Sequence, residues 1–176
     1  PFIYYGEEIG MTGQKPDEDI RLPMQWTSDV ATAGFSAGNP WRAPGVNTSS
    51  TNVAAEEKDP ESLFNHYRAL IRLRKEHSAL RTGSLTLLQT STSVIFASLR
   101  IEGSETILVL INLSGEKLTD FNLTWADSSL KDGTYQPETL FGRGTALSLT
   151  ISNGKINAYQ PLQAIEPYST TIFSLR

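Results

Sequence analysis

Two adjacent carboxylates, Glu7 and Glu8, are the first residues of the chain whose types could do chemistry. They follow an apolar run, Phe2–Tyr5, which is typical of a buried strand in a parallel sheet. Active sites of parallel α/β folds lie at the carboxyl ends of their strands, so this pair could act as an acid or base or bind a cation. The structural alternative is that both carboxylates accept hydrogen bonds from loop amides, since adjacent strand residues point to opposite faces.

Arg21 is the second candidate, because a guanidinium offers five donors in a fixed fork that suits a carboxylate or vicinal sugar hydroxyls. A structural salt bridge is the alternative for this side chain. The acidic residues before it, Asp17, Glu18 and Asp19, could bind calcium. They lack the Asp-x-Asp-x-Asp-Gly spacing, so we expect a solvated loop.

Three aromatic residues of the same segment, Trp26, Phe35 and Trp41, could line a sugar site, because aromatic rings stack on the apolar faces of flat ligands. Packing of the loop is the alternative reading of these rings. His66 and His77 lie eleven residues apart on one predicted helix, too far for joint ligation, and we expect them to be surface or packing residues.

Composition excludes several classes of function. The 176 residues carry a net charge of −4 and no cysteine, so disulfides and thiolate metal sites are excluded, and we expect no transition metal and no cofactor. No basic patch is interleaved with aromatic residues, which argues against nucleic acid as a partner. No apolar stretch approaches the roughly 18 residues of a membrane span, so no membrane partner is expected. Nucleotide-binding and serine-hydrolase motifs are absent, and the sequence does not indicate a compartment.

The elements that must position these residues change character along the chain. Residues 12–59 have loop composition, and Asp59-Pro60 then predicts a helix to about Leu80, ended by Gly83. From Ser84 onward the hydrophobic period is about 2, which predicts an antiparallel sandwich with a central strand at 105–113. Asn153-Gly154 predicts a type I′ hairpin turn. The expected strands are 85–90, 93–101, 105–113, 118–125, 134–141, 145–151, 155–160 and 168–175.

A parallel strand at Phe2–Tyr5 needs neighbours on both sides, and the following residues offer no second strand–helix–strand unit. We therefore expect the chain to be the tail of a larger protein. The last 95 residues or so can form a core of their own, whereas the first segment cannot.

Four segments of the sequence resemble one family: PFIYYGEEIGM, DIRLPMQW, AGFSAGNPW and DPESLFNHYRALIRLRKEHSALRTG. They are similar to the C-terminal part of α-amylase-family (family 13) glycoside hydrolases, especially oligo-1,6-glucosidases, related α-glucosidases and intermediate α-amylases. The resemblance implies that PFIYYG is the eighth strand of a (β/α)8 barrel, followed by its long loop and, at Pro60–Leu80, its eighth helix. It divides the chain into an incomplete barrel portion, 1–83, and a C-terminal Greek-key β-sandwich, 84–176, which makes the fold mainly β.

The same resemblance implies a retaining hydrolase of α-glucans or maltooligosaccharides. The catalytic Asp, Glu and Asp of that family lie on earlier strands, so no catalytic residue is assigned here, and the chain alone is expected to be inactive. Arg21 matches the arginine that binds the terminal glucose in exo-acting members. Leu22 departs from the threonine that many relatives have, and leaves Arg21 untouched.

Two other readings remain open for the sandwich. It could be a carbohydrate-binding module, which requires two or three exposed, coplanar rings, or an immunoglobulin-like interaction domain, which explains only residues 84–176. Uncovered apolar surface on Phe2–Tyr5 and on the helix predicts self-association. The candidate rings of the module are Trp125, Tyr135, Phe141, Tyr159 and Tyr168.

Overall fold

The computed structural model describes residues 2–127 and 130–176, and the chain forms two compact units, Pro1–Arg72 and Leu73–Arg176. Pro1, the first residue of the PFIYYG segment, lies outside the described residues. The first unit contains short elements: two 3-10 helices at Glu7–Ile9 and Asp17–Ile20, and α1 at Val53–Glu56. No helix in the described ranges is long and apolar enough to cross a bilayer.

The expected strand at Phe2–Tyr5 is not formed. These residues have no strand partner in the described part of the chain, where the first strand begins at Ser84, and their four side chains are exposed. A strand exists only through hydrogen bonds to a neighbouring strand. An apolar run without such a neighbour therefore stays irregular, although its composition is that of a buried strand.

The long helix α2 spans Leu63–Glu76, whereas the sequence predicted a start at Pro60. Asp59 does cap a turn, because its side chain accepts a hydrogen bond from the Glu61 amide at 2.9 Å. Ser62 then caps the helix itself, since its hydroxyl oxygen accepts from the Asn65 amide at 3.2 Å. The helix begins one turn later than expected because the sequence offers two capping residues in succession.

The predicted helix also ends earlier, at Glu76, and a separate short helix α3 covers Ser78–Arg81. His77 separates the two with an extended backbone. Gly83 terminates this region as predicted, because a Cβ there would lie 2.5 Å from the Ala79 carbonyl oxygen and 2.8 Å from that of Ile101. Only glycine fits where the two backbones approach so closely.

Among its described residues, the second unit contains ten strands in antiparallel sheets. Five form one sheet in the order β1-β3-β4-β10-β7, three form a second in the order β2-β5-β9, and β6 pairs with β8. The strand predicted to be central, β4, has two strands on either side of it in the five-stranded sheet, which confirms that expectation. The strands are β1 Ser84–Leu87, β2 Gln89–Thr90, β3 Ile95–Glu102, β4 Glu105–Asn112, β5 Leu123–Trp125, β6 Gly133–Tyr135, β7 Pro137–Phe141, β8 Leu149–Ile151, β9 Ile156–Tyr159 and β10 Thr170–Leu175.

The core of this unit is made by apolar residues from several strands, which confirms the expected β-rich fold. Alternate residues of β3 and β4 contribute to this core, as the period of 2 requires, but the intervening Ser98 and Ile107 are buried too. The predicted turn at Asn153-Gly154 is present, with φ angles of 51° and 67°, and the Asp132 carboxylate accepts hydrogen bonds from both turn amides at 2.8 Å. Fully buried core residues include Leu99, Leu108, Leu110, Phe121, Leu123 and Phe173.

Candidate functional site

A concavity of about 400 Å³ lies in the first unit and brings together five of the candidates named from the sequence. It places Arg21 and Glu8 beside all three candidate rings of the loop. A mainly apolar hollow with a few polar groups is the usual form of a small-molecule site. Its lining residues are Tyr5, Glu8, Arg21, Leu22, Pro23, Met24, Trp26, Phe35 and Trp41.

Glu7 and Glu8 accept hydrogen bonds from nearby backbone amides, as the structural alternative expected. The Glu8 carboxylate accepts from the Gly6 amide at 2.9 Å, and that of Glu7 accepts from the Tyr4 amide at 3.3 Å. Both residues lie in a one-turn helix rather than on a strand, and only Glu8 lines the concavity. The pair therefore does not converge on one reacting atom.

Arg21 lies at the concavity with its side chain 60% exposed. Its Nη2 atom is 3.4 Å from Asp17 Oδ2, an ion pair within one turn of chain that also includes Lys15. An exposed pair of this length contributes little to stability, so Arg21 can exchange it for a ligand at low cost. Arg21 thus forms the salt bridge that was the alternative prediction for it, but this exposed ion pair leaves the side chain able to bind a ligand.

The acidic run is engaged in ion pairs. Asp17 pairs with Lys15 and Arg21, and Asp19 Oδ1 lies 3.5 Å from Arg42 Nε. Within the described ranges, no group of three or more acidic or histidine side chains could hold a metal ion.

The three loop rings are each about half exposed: 49% for Trp26, 50% for Phe35 and 60% for Trp41. The Arg42 guanidinium carbon lies 5.9 Å from the centroid of the Trp41 ring, close enough for a cation–π contact. These rings share one hollow and present apolar area to it. They can therefore stack on the faces of a sugar ring, whereas complete packing of the loop would have buried them.

Gln25 links the loop to the segment at residues 51–53 and was missed by sequence reasoning. Its side chain is fully buried and the side-chain Nε2 donates to the Thr51 carbonyl oxygen, while the backbone carbonyl oxygen of Gln25 accepts from the Val53 amide at 3.0 Å. Asn52 beside it caps α1 by accepting from the Ala55 amide at 3.0 Å. A polar residue between Met24 and Trp26 was the available signal, but a single sequence does not show that it is buried.

Tyr5 forms one wall of the concavity. Its hydroxyl donates to the Leu22 carbonyl oxygen at 2.9 Å, and its ring lies 4.9 Å from that of Tyr4. Burial and the neighbouring Tyr4 raise the pKa of Tyr5 above its ordinary value of 10.0. The hydrogen bond from the phenol holds the backbone at Leu22, the residue just after Arg21.

The rings of the sandwich do not form a stacking platform. Tyr159 is buried and donates to the Leu147 carbonyl oxygen at 2.6 Å, and burial raises its pKa. Trp125 and Tyr135 pack on the core, and Phe141 is half-buried. Only Tyr168, at 77% exposed, faces solvent, so the two or three exposed rings that a binding module requires are not present among these five.

His77 lies in a cluster that also escaped prediction. Its Nδ1 is 2.6 Å from Glu105 Oε1, while Glu105 Oε2 accepts from the Ser78 hydroxyl at 2.9 Å and from the Ala79 amide at 2.7 Å. The N-cap residue His77 makes no capping hydrogen bond of its own, so the Glu105 carboxylate takes that role by accepting from the amide in the first turn of α3. Burial alone would raise the pKa of Glu105, but these hydrogen bonds outweigh it and leave the pKa below its ordinary value of 4.5.

Residues 1–83 match a family model described as the catalytic domain of alpha amylase. The chain is 42% identical over 126 residues to alpha-amylase 3 of Dictyoglomus thermophilum, covering 69% of this chain and 24% of that protein. It is 35% identical over 157 residues to the oligo-1,6-glucosidase of Halalkalibacterium halodurans, covering 69% of this chain and 28% of that protein. The matched part of the chain thus spans about a quarter of the length of these relatives.

The fold is similar to solved structures as well. The trehalose-6-phosphate hydrolase of Bacillus licheniformis superposes with a TM-score of 0.71 at 25% identity, over 99% of this chain and 36% of that one. The likeness extends over nearly the whole chain, including the sandwich.

Proposed function

Because this chain belongs to the α-amylase family of glycoside hydrolases, we propose that it is the C-terminal part of a retaining α-glucoside hydrolase acting on α-glucans or maltooligosaccharides. The relatives it matches are about three times as long, which leaves room elsewhere for a barrel with the catalytic carboxylates. Neither Glu7 nor Glu8 takes their place, because both are engaged by backbone amides.

The observation that carries the proposal is the concavity, which places one arginine among three half-exposed rings within the family-matched residues. A glucose ring has apolar faces and a rim of hydroxyls. The rings of Trp26, Phe35 and Trp41 suit the faces, and the fork of Arg21 suits two vicinal hydroxyls. We therefore assign Arg21 to substrate binding and no residue of this chain to bond cleavage.

We propose that the boundary between the barrel portion and the sandwich lies between residues 83 and 84. The family match ends at residue 83, and the first strand of the sandwich begins at Ser84. The boundary between the two compact units lies earlier, after Arg72. We prefer the later boundary because Gly83 is where the chain leaves α3 and enters the sheet. The sandwich then serves as a supporting domain.

The test is Arg21→Lys in the full-length protein, assayed on maltose and nitrophenyl α-glucoside. Loss of the guanidinium fork removes hydrogen bonds to a charged group, so kcat/KM should fall by about 10- to 150-fold. Arg68→Lys is the matched control, because Arg68 pairs with Glu57 and does not line the concavity.

Arg21→Lys with unchanged kcat/KM would contradict the assignment of Arg21. The isolated chain of 176 residues is expected to give no turnover. Turnover by the isolated chain, above the level of a mock purification, would contradict the proposal that the acids lie elsewhere.

A further inference from the structure

The turn between β8 and β9 carries two residues with a chemistry of their own, Asn153 and Gly154. They are the single Asn-Gly pair of the sequence. Asn153 is exposed, and both residues have a positive φ angle, 51° and 67°. A glycine after an asparagine leaves the side-chain amide open to attack by the next backbone nitrogen, because no side chain crowds the ring that forms. The turn is therefore a candidate site of spontaneous modification.

The reaction is a deamidation that needs only water. The Gly154 nitrogen loses its proton to solvent hydroxide and forms a bond to Cγ of Asn153, while the bond from Cγ to Nδ2 breaks. The Nδ2 nitrogen takes up a proton and leaves as ammonia, which gives a five-membered succinimide. Water then opens this ring at either carbonyl carbon and produces aspartate or isoaspartate. The net change consumes one water, releases one ammonia and involves no oxidation or reduction.

The attacking nitrogen is held by a neighbouring carboxylate. The Gly154 amide donates to Asp132 Oδ1 and the Asn153 amide donates to Asp132 Oδ2, each at 2.8 Å. Asp132 directly precedes β6, where Gly133 pairs with Ile151 at the end of β8. Successive backbone amides of this kind form a small anion-binding concavity, and here Asp132 supplies the anion from within the chain.

This arrangement opposes the reaction in two ways. A negative charge beside the Gly154 amide disfavours the loss of its proton, because the anionic nitrogen would lie next to a second anion. The two hydrogen bonds also resist the rotation of the peptide group that ring closure requires. Hydrogen bonds to a charged group are stronger than neutral ones, so both effects depend on the Asp132 carboxylate.

We propose that Asn153 is a deamidation site and that Asp132 is the residue that keeps its conversion slow. The proposal is independent of the proposed function, because the turn and Asp132 belong to the second unit and the sugar concavity to the first. Asp132 acts by positioning: it holds the nucleophile and takes no part in bond formation.

Peptide mapping of the purified protein measures the conversion. The protein is incubated at neutral and at mildly alkaline pH, where hydroxide accelerates ring closure, and is then cleaved with trypsin after Arg143 and Lys155. The peptide of residues 144–155 contains Asn153 as its only asparagine. The following peptide contains the exposed Asn157, which precedes Ala158 and serves as an internal reference. Mass spectrometry and retention time separate the asparagine, aspartate and isoaspartate forms.

Asp132→Ala should deamidate at Asn153 about 10-fold faster than the parent, because hydrogen bonds to a charged group are lost. Asp132→Asn retains one acceptor oxygen and should give an intermediate rate. Asp120→Ala is the matched control, an exposed aspartate of the same unit that does not bond the turn. Circular dichroism checks the folding of each variant. A synthetic peptide of residues 148–157 contains no Asp132 and should also react faster than the folded parent, whether or not the variants fold.

Each outcome decides one claim. If Asn153 converts no faster than Asn157 in the parent, in Asp132→Ala and in the synthetic peptide, then it is not a deamidation site. If Asp132→Ala and the parent convert at the same rate, Asp132 does not protect the turn. An equal gain in Asp120→Ala overturns the protective role too, because the effect would then be one of net charge or general stability.

Conversion should also weaken the hairpin. A carboxylate at position 153 repels that of Asp132, and isoaspartate adds a methylene to the backbone of a turn whose length fixes the strand register. Asn153→Asp reproduces the charge, so it should lower the melting temperature, whereas Asn157→Asp adds the same charge outside the turn and should lower it less. Equal melting temperatures of Asn153→Asp and the parent would overturn this consequence.

Discussion

At the scale of single residues, Glu105 shows how one carboxylate can organise several donors. It accepts from the side chains of His77 and Ser78 and from the Ala79 amide, and so holds the first turn of α3. Its pKa lies below the ordinary value of 4.5, so the folded state favours the ionised form. Stability from this group is present above pH 4.5 and is lost as the pH falls through the lower pKa of the folded state.

Glu105→Gln should therefore lower the free energy of unfolding by about 1–3 kcal/mol at pH 7, because a neutral amide accepts fewer and weaker hydrogen bonds than a carboxylate. The difference in the free energy of unfolding between the variant and the parent should become smaller below pH 4, because the Glu105 carboxyl of the parent is then becoming protonated. Denaturant unfolding at a series of pH values measures both effects. Glu102→Gln is the control, an exposed residue opposite Glu105 in the β3–β4 register. A constant difference from pH 7 to pH 3 would refute this account.

At the scale of elements, the passage from α3 into β1 depends on Gly83. The backbones of α3 and β3 both approach its α-carbon, and the Gly83 carbonyl oxygen accepts from Arg100 Nη2 at 2.8 Å. Arg74 donates to the carbonyl oxygens of Leu80 and Arg81 at the end of α3, which satisfies groups that a helix leaves unpaired. The short helix is thus held at both ends, by Glu105 and by Arg74.

Gly83→Ala should destabilise the fold by about 1–3 kcal/mol, because a methyl group there meets backbone atoms that cannot rotate away. Gly38→Ala is the matched control, since a Cβ at Gly38 meets nothing within 4 Å. Thermal unfolding of the two variants gives the comparison. Equal melting temperatures would contradict the prediction, because they would mean that the backbone at Gly83 can shift to accept a methyl group without loss of stability.

At the scale of the whole molecule, the structure exposes several apolar side chains. The sequence assigns them to a buried strand and to the apolar face of a helix. They comprise Phe2–Tyr5 together with Leu63 and Ile71 of α2. Exposed apolar runs of this kind promote association. The larger protein that we propose would cover them, since a parallel strand of a barrel is buried on both faces.

The isolated chain should therefore self-associate at high concentration, and replacing Phe2 and Ile3 by serine should reduce the association. Val46→Ser is the control, because Val46 is fully exposed but stands apart from the apolar run. Light scattering across a concentration series measures the effect. A monomer at every concentration would contradict the prediction.

Much of the sandwich could be predicted because its signals are local. The period of 2 from Ser84 onward and the Asn153-Gly154 pair located most strands and the turn between β8 and β9. The helix boundaries were less accurate, since Asp59 and Ser62 compete as caps and His77 interrupts the helix only because Glu105, distant in sequence, binds there. The candidate rings and Arg21 could be named from residue type, but not shown to share one hollow.

The amino-acid sequence by itself determined the family, the strand-rich second half and the types of side chain available to bind a sugar, because those properties depend on residues near one another along the chain. Tertiary structure alone decided that Arg21, Glu8 and three rings line one concavity, that Gln25 is buried, and that among the five sandwich rings Tyr159 is buried and three others are partly buried. It also decided that Phe2–Tyr5 forms no strand, because pairing requires a partner that no local pattern can supply.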